Sequence, residues 1–170
     1  MIKIIDACKP VRRHRIKASD LGCAIGRGLL AGICGTAAMT ISSTIEMKLR
    51  GRPPSTAPAD AALKLLRLKL EDEQAKAAFA NIVHWGYGTG WGVARGLLDF
   101  AGCSRTCALP AHFAAVWGAA LVTLPALKVA PPATEWSAEE VAIDALHHLV
   151  YAAAVDFAYT VSAGFEKQRE

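Results

Sequence analysis

Apolar positions in this chain are gathered into long stretches, and most of the charge sits in the short segments between them. The first stretch predicts a helix over about residues 21–48, in which 18 uncharged residues separate Arg27 from Glu46. At 1.5 Å per residue such a run covers ~27 Å, close to the ~30 Å hydrocarbon core of a bilayer. "RGRPPSTAPAD" then breaks the helix with three prolines. In "AALKLLRLKLEDEQAKAAF", Leu63, Leu66 and Leu70 share one helical face while Lys64, Arg67 and Lys69 spread over the others. That pattern predicts an amphipathic segment over about 58–76, suited either to a membrane surface or to a soluble arm. A second apolar helix is predicted over about 77–100, again with 18 uncharged residues, here between Lys76 and Arg95. A third covers about 108–129, with Pro125 as an expected kink, and a fourth about 140–165, interrupted by Asp144 and Asp156. Ser137 and Glu140 form a capping box ahead of the fourth. The expected architecture is therefore all-α: an integral membrane four-helix bundle over 21–165, with an additional amphipathic helix between helices one and two and a basic segment at 1–20.

Composition strengthens this picture. Apolar residues make up 53% of the chain and charged residues only 20%, a balance tilted away from the average soluble domain. The formal charge of +4 is mild, and the basic residues crowd into 1–20 and 48–76, where they read as flanks of membrane segments. No zinc-finger spacing, RNP motif or aromatic-interleaved basic patch points to nucleic acid. Apart from Arg27 and Arg95, an up-and-down arrangement puts 9 Lys/Arg on the side of the N-terminus and 8 on the other. The count is nearly even, so an N-inside orientation in a bacterial inner membrane is favoured only through the first helix. The first apolar run begins too far from the N-terminus for a cleaved signal, and reads as a retained helix.

Glycines mark the expected packing surfaces. Gly88, Gly92 and Gly96 recur every fourth residue on helix two, and helix one carries Gly28 and Gly32. In lipid, apolar side chains gain little by meeting each other, so helices associate through close contact at small residues. These faces predict tight packing of helices one and two, with homo-oligomerisation as their rival use.

The polar residues define the candidate chemistry. In an up-and-down bundle the end of helix one and the starts of helices two and four share one membrane face, which brings Glu46, His84, Asp144, His147 and His148 to one level. Asp144, His147, His148 and Tyr151 also follow helical spacing on helix four. His84, Asp144, His147 and His148 are thus candidate ligands for a divalent metal, and the histidines for a heme. The plainer reading is a hydrogen-bonded cluster, with Glu46 paired to Arg50, His84 in an aromatic belt, and His147 and His148 on backbone carbonyls or each other. Deeper in the membrane, Asp156 and Arg95 fall at similar depth and are expected to pair, although Asp99 is an alternative partner for Arg95. Cys103 and Cys107 in "CSRTC" read as two unrelated thiols, with pairing or a shared metal with His112 as the alternatives.

"HWGYGTGWGVARGLL" and "LHHLVYAAAVDFAY" resemble the YagU-like family of bacterial inner-membrane proteins. The resemblance implies a small polytopic membrane protein over helices two to four and supplies no catalytic residue. No Walker, GxSxG, HExxH or CxxC motif points to a standard enzyme. Three roles are expected of such a chain: binding or passing a small solute or proton, a membrane heme or metal protein, or a partner subunit docked through its glycine faces.

Overall fold

A computed structural model describes residues 18–167. Most of the basic segment at 1–20 lies outside them. The described residues form five α-helices: α1 (Ala18–Arg50), α2 (Ala57–Leu66), α3 (Glu73–Phe100), α4 (Arg105–Ala126) and α5 (Ala138–Lys167), with a single 3-10 turn at Ala133–Glu135. α1 packs most extensively against α3 and then α5, while α4 closes the other side against α5 and α3. The core is thin. Ala31, Val116, Tyr151, Val155 and Tyr159 form its buried apolar centre, flanked by Met39, Trp91 and Ala158.

Among the described residues, three helices are long and apolar enough to cross a membrane: α1, α4 and α5. In their most apolar stretches no more than 28% of the residues are buried. Leu30, Ile41, Val122 and Phe157 point outward and are each more than 60% exposed. Single exposed apolar residues are ordinary on a soluble surface, but outward apolar side chains along three helices of spanning length form a face that fits an apolar surrounding.

The second predicted span differs from expectation. α3 has the length, at 28 residues, but not the hydropathy. Its centre is Gly, Trp and Tyr, and Asn81, His84 and Arg95 lower it further. The amphipathic segment is also shorter than predicted. α2 stops at Leu66, Arg67 turns left-handed, and an extended stretch leads to Asp72, whose carboxylate accepts from Ala75 N at 2.7 Å and starts α3 at Glu73. Pro125 lies in the last turn of α4, which ends one residue later. The Ser137–Glu140 capping box is formed, with Glu140 accepting from Ser137 N at 2.7 Å and Ser137 Oγ accepting from Glu140 N at 3.2 Å.

Helices α1 to α4 end in the same way. A left-handed residue follows each, and the next N–H reaches back five residues: Arg52 to Met47, Leu68 to Leu63, Cys103 to Leu98 and Val129 to Leu124, at 2.9–3.2 Å. This closure satisfies carbonyls that the helix leaves open. Gly51 and Gly102 hold the left-handed position after α1 and α3, whereas Arg67 and Lys128, both at φ 53°, hold it after α2 and α4. Glycine adopts that conformation freely, while a side chain costs about 1 kcal/mol there.

Candidate functional site

The glycines bring α1 and α3 together so closely that a Cβ on Gly28 would lie 2.6 Å from Gly92 O, and one on Gly92 would lie 2.6 Å from Gly32 Cα. Cβ atoms at Gly32, Gly88 and Gly96 would likewise strike Thr89, Thr36 and Ala24. All five glycines are therefore used between helices of one chain. Gly86 and Gly90, on the other side of α3, meet nothing within 4 Å.

Close approach of the backbones exposes α3 to polar groups from every other long helix. His84, Gly88, Trp91, Arg95 and Asp99 follow one another at spacings of four, three, four and four, a single face ~22 Å long. Each receives a side chain from a different place. Thr40 of α1 meets His84 Nε2 at 2.8 Å. Because the Thr40 hydroxyl already donates to Thr36 O at 2.7 Å, the imidazole is the donor and carries its proton on Nε2. Tyr151 of α5 donates to Gly88 O at 2.5 Å. His112 of α4 donates from Nε2 to Trp91 O at 3.1 Å. Arg95 Nε donates to Asp156 of α5 at 2.7 Å, and the Tyr159 hydroxyl donates to Asp99 at 3.1 Å.

The centre of this seam is buried on the arginine side. The Arg95 side chain is 2% exposed and that of Asp156 20%. The guanidinium carbon lies 4.5 Å from the Tyr159 ring centroid, close enough for a cation–π contribution. Two buried nitrogens nearby have no hydrogen-bond partner, Arg95 Nη1 and His112 Nδ1. With Nε2 holding the proton of a neutral His112, Nδ1 is a bare acceptor. A cleft of about 290 Å³ lined by Arg95, Asp99, Arg105, Tyr159 and Thr160 lies at the end of the seam where α3 and α5 finish.

The opposite end is organised differently from the expected ligand cluster. Glu46 is held by Arg52, whose Nε donates to it at 2.8 Å and whose second nitrogen also contacts it, with Arg50 at 3.7 Å. His147 Nδ1 bonds Ser42 Oγ at 2.8 Å, and its buried Nε2 lies 3.7 Å from the Glu46 carboxylate. Asp144 instead accepts from Trp117 of α4 at 2.8 Å. His148 Nδ1 donates to the Asp144 carbonyl at 2.8 Å, within its own helix. The structure thus splits the expected set. Glu46 of α1 and His147 of α5 come within 3.7 Å of each other, Asp144 is bonded to Trp117 of α4 with His148 Nδ1 3.6 Å from its carboxylate, and His84 lies apart with Thr40.

Among the described residues no three His, Cys, Asp or Glu side chains come together in a way that would hold a metal ion. The physical reason is angular: successive residues of α5 diverge by 100°, so His147 and His148 serve different neighbours. Cys103 is a free thiol, hence not bonded to Cys107, and His112 is fully buried on Trp91 O rather than beside them.

Five participants were not singled out in the sequence: Thr36, Thr40, Ser42, Trp117 and Tyr159. A signal was present for three of them in "TAAMTISSTIE", where hydroxyl residues recur inside an otherwise apolar helix. The backbone carbonyls of Gly88 and Trp91 left no trace in the sequence at all.

No protein-family model, curated protein sequence or solved structure matches this chain.

Proposed function

We propose that the chain is a four-helix integral membrane protein, in which α3 completes the bundle formed with the three apolar helices, and that its interior seam binds and passes protons. The observation that carries this reading is the buried Arg95–Asp156 pair at 2.7 Å beside an unpartnered Arg95 nitrogen. A charge inside a bilayer costs ~2.5–3.5 kcal/mol on the insertion scale and marks a functional position by default. The low hydropathy of α3 fits the proposal, because its glycine face is spent on α1 and its polar face on the seam. The two segments that resemble the YagU-like proteins are the ones that supply Arg95 and Asp156. We assign the chain to a bacterial inner membrane with its N-terminus inside, following the weight of the first helix.

In this reading Asp156 takes a proton from the cleft. Neutral Asp156 no longer pairs with Arg95, and the freed guanidinium turns toward the cleft, where Nη1 already lacks a partner. His112 of α4, with Nδ1 open, is the next acceptor along the seam. The heme or metal role loses its geometric support, since His84, His147 and His148 each bond a different group. A docking role through Gly28, Gly32, Gly88, Gly92 and Gly96 is less favoured, since those residues are packed within one chain, while Gly22, Gly26, Gly86 and Gly90 stay open.

Proton flux into vesicles loaded with a pH dye, driven by a potassium gradient and valinomycin, tests the proposal. The wild type is expected to exceed protein-free vesicles, and the folded double variant Arg95→Met/Asp156→Asn to fall to their rate. A wild type no faster than empty vesicles, or a double variant that keeps its flux, overturns it.

A further inference from the structure

A second cleft, of about 570 Å³, lies where α2 meets the end of α4, and Lys64, Arg67, Lys69 and Lys128 line it together with Leu63, Leu68 and Asp60. Lys64 builds it: its ammonium donates to Leu127 O at 2.9 Å and Lys128 O at 2.7 Å, clamping α2 onto the C-terminus of α4. Asp60 is already engaged, accepting from Thr56 at 2.8 Å. The side chains of Arg67, Lys69 and Lys128 have no hydrogen-bond or ion-pair partner among the described residues. With Lys64, four cations thus line one cleft against the single carboxylate of Asp60.

Two of these cations stand where the backbone favours glycine. The same helix closure uses Gly51 and Gly102 after α1 and α3, but Arg67 and Lys128 here, and these are the two left-handed non-glycine residues among the described ones. Strain of this kind persists where a side chain is needed. Beside the cleft, Leu65 is 65% exposed and Leu66 60%, an apolar ledge at the level where the α4 span ends.

We infer that this cleft binds the phosphate headgroup of an anionic phospholipid, with Arg67, Lys69 and Lys128 on the phosphate and the leucine ledge against the acyl chains. The inference rests on the membrane placement proposed above. Basic clefts at the ends of spanning helices suit such headgroups because charge attraction and apolar contact act on the same molecule. The occupant is a lipid rather than free phosphate because the ledge has no use for the latter.

The test uses the full chain in neutral detergent and measures retention of phosphatidylglycerol against phosphatidylcholine by native mass spectrometry. The wild type is expected to prefer phosphatidylglycerol. The Arg67→Gly/Lys128→Gly variant is expected to lose that preference by about 10-fold or more, the effect of two charges at a membrane surface. The same variant is expected to unfold at a higher temperature, since glycine relieves both left-handed positions, so its loss of lipid does not reflect misfolding. Equal retention of the two lipids, or an unchanged preference in the variant, overturns the headgroup site. Release of phosphatidylglycerol by inorganic phosphate at equal concentration overturns the lipid assignment. A chain that stays in solution without detergent contradicts the membrane placement instead.

Discussion

Asp156→Asn is expected to destabilise the protein by about 3–5 kcal/mol, the cost of leaving a buried charge without its partner. Arg95 is 2% exposed and cannot shed its proton, and an asparagine amide offers no counter-charge, so the guanidinium must stay buried without its partner or turn out toward Asp99 and the cleft. Arg95→Met should cost less, because the stranded Asp156, 20% exposed on its side chain, can be neutralised by taking up a proton. The double variant should regain most of the loss, since two neutral groups of similar shape need no counter-ions. Denaturant titration in detergent across the four proteins measures this cycle. Additive single losses would mean that the pair is not coupled. An Arg95→Met variant weaker than Asp156→Asn would reverse the assignment of which charge is trapped.

Gly92→Ala is expected to cost about 3 kcal/mol or more, at the upper end of overpacking effects. The added methyl would meet Gly28 O and, at 2.6 Å, Gly32 Cα. Both are backbone atoms, so no rotamer change relieves the clash and α1 must move away from α3. Separation would also pull Thr40 from His84. Gly90→Ala, two residues earlier on the same helix, meets nothing within 4 Å. It should be neutral or slightly stabilising through helix propensity. Unfolding midpoints of the two variants side by side provide the measurement. Equal behaviour would show that α1 and α3 are not joined through this face.

The contrast between these glycines explains what could be read in advance. Helical spacing is rigid, so Gly88, Gly92 and Gly96 had to share a face, and the small residues of α1 were the natural counterpart. Arg95 and Asp156 were legible for a similar reason: rise per residue places both at one depth, and the pair forms. The end of the seam was harder. Glu46, His147 and Asp144 lie near one level, but depth says nothing about rotation, and α4 rather than α1 takes Asp144 through Trp117. His148 satisfies itself on a carbonyl four residues back. The acceptors that join α3 to Tyr151 and His112 are carbonyls, which every residue has and no sequence marks. The missing hydropathy of α3 has the same root, because a helix whose contacts run through glycine and backbone needs few apolar side chains.

The most direct test of the membrane placement is a set of spin labels at Ile82, Val122 and Phe157, in a cysteine-depleted background reconstituted into vesicles. These side chains are 70%, 71% and 72% exposed on α3, α4 and α5. The expected result is high collision with oxygen and low collision with a water-soluble nickel chelate at all three, α3 included. Free access of the chelate to Val122 and Phe157 would put these apolar faces in water and contradict a membrane bundle around the Arg95–Asp156 pair.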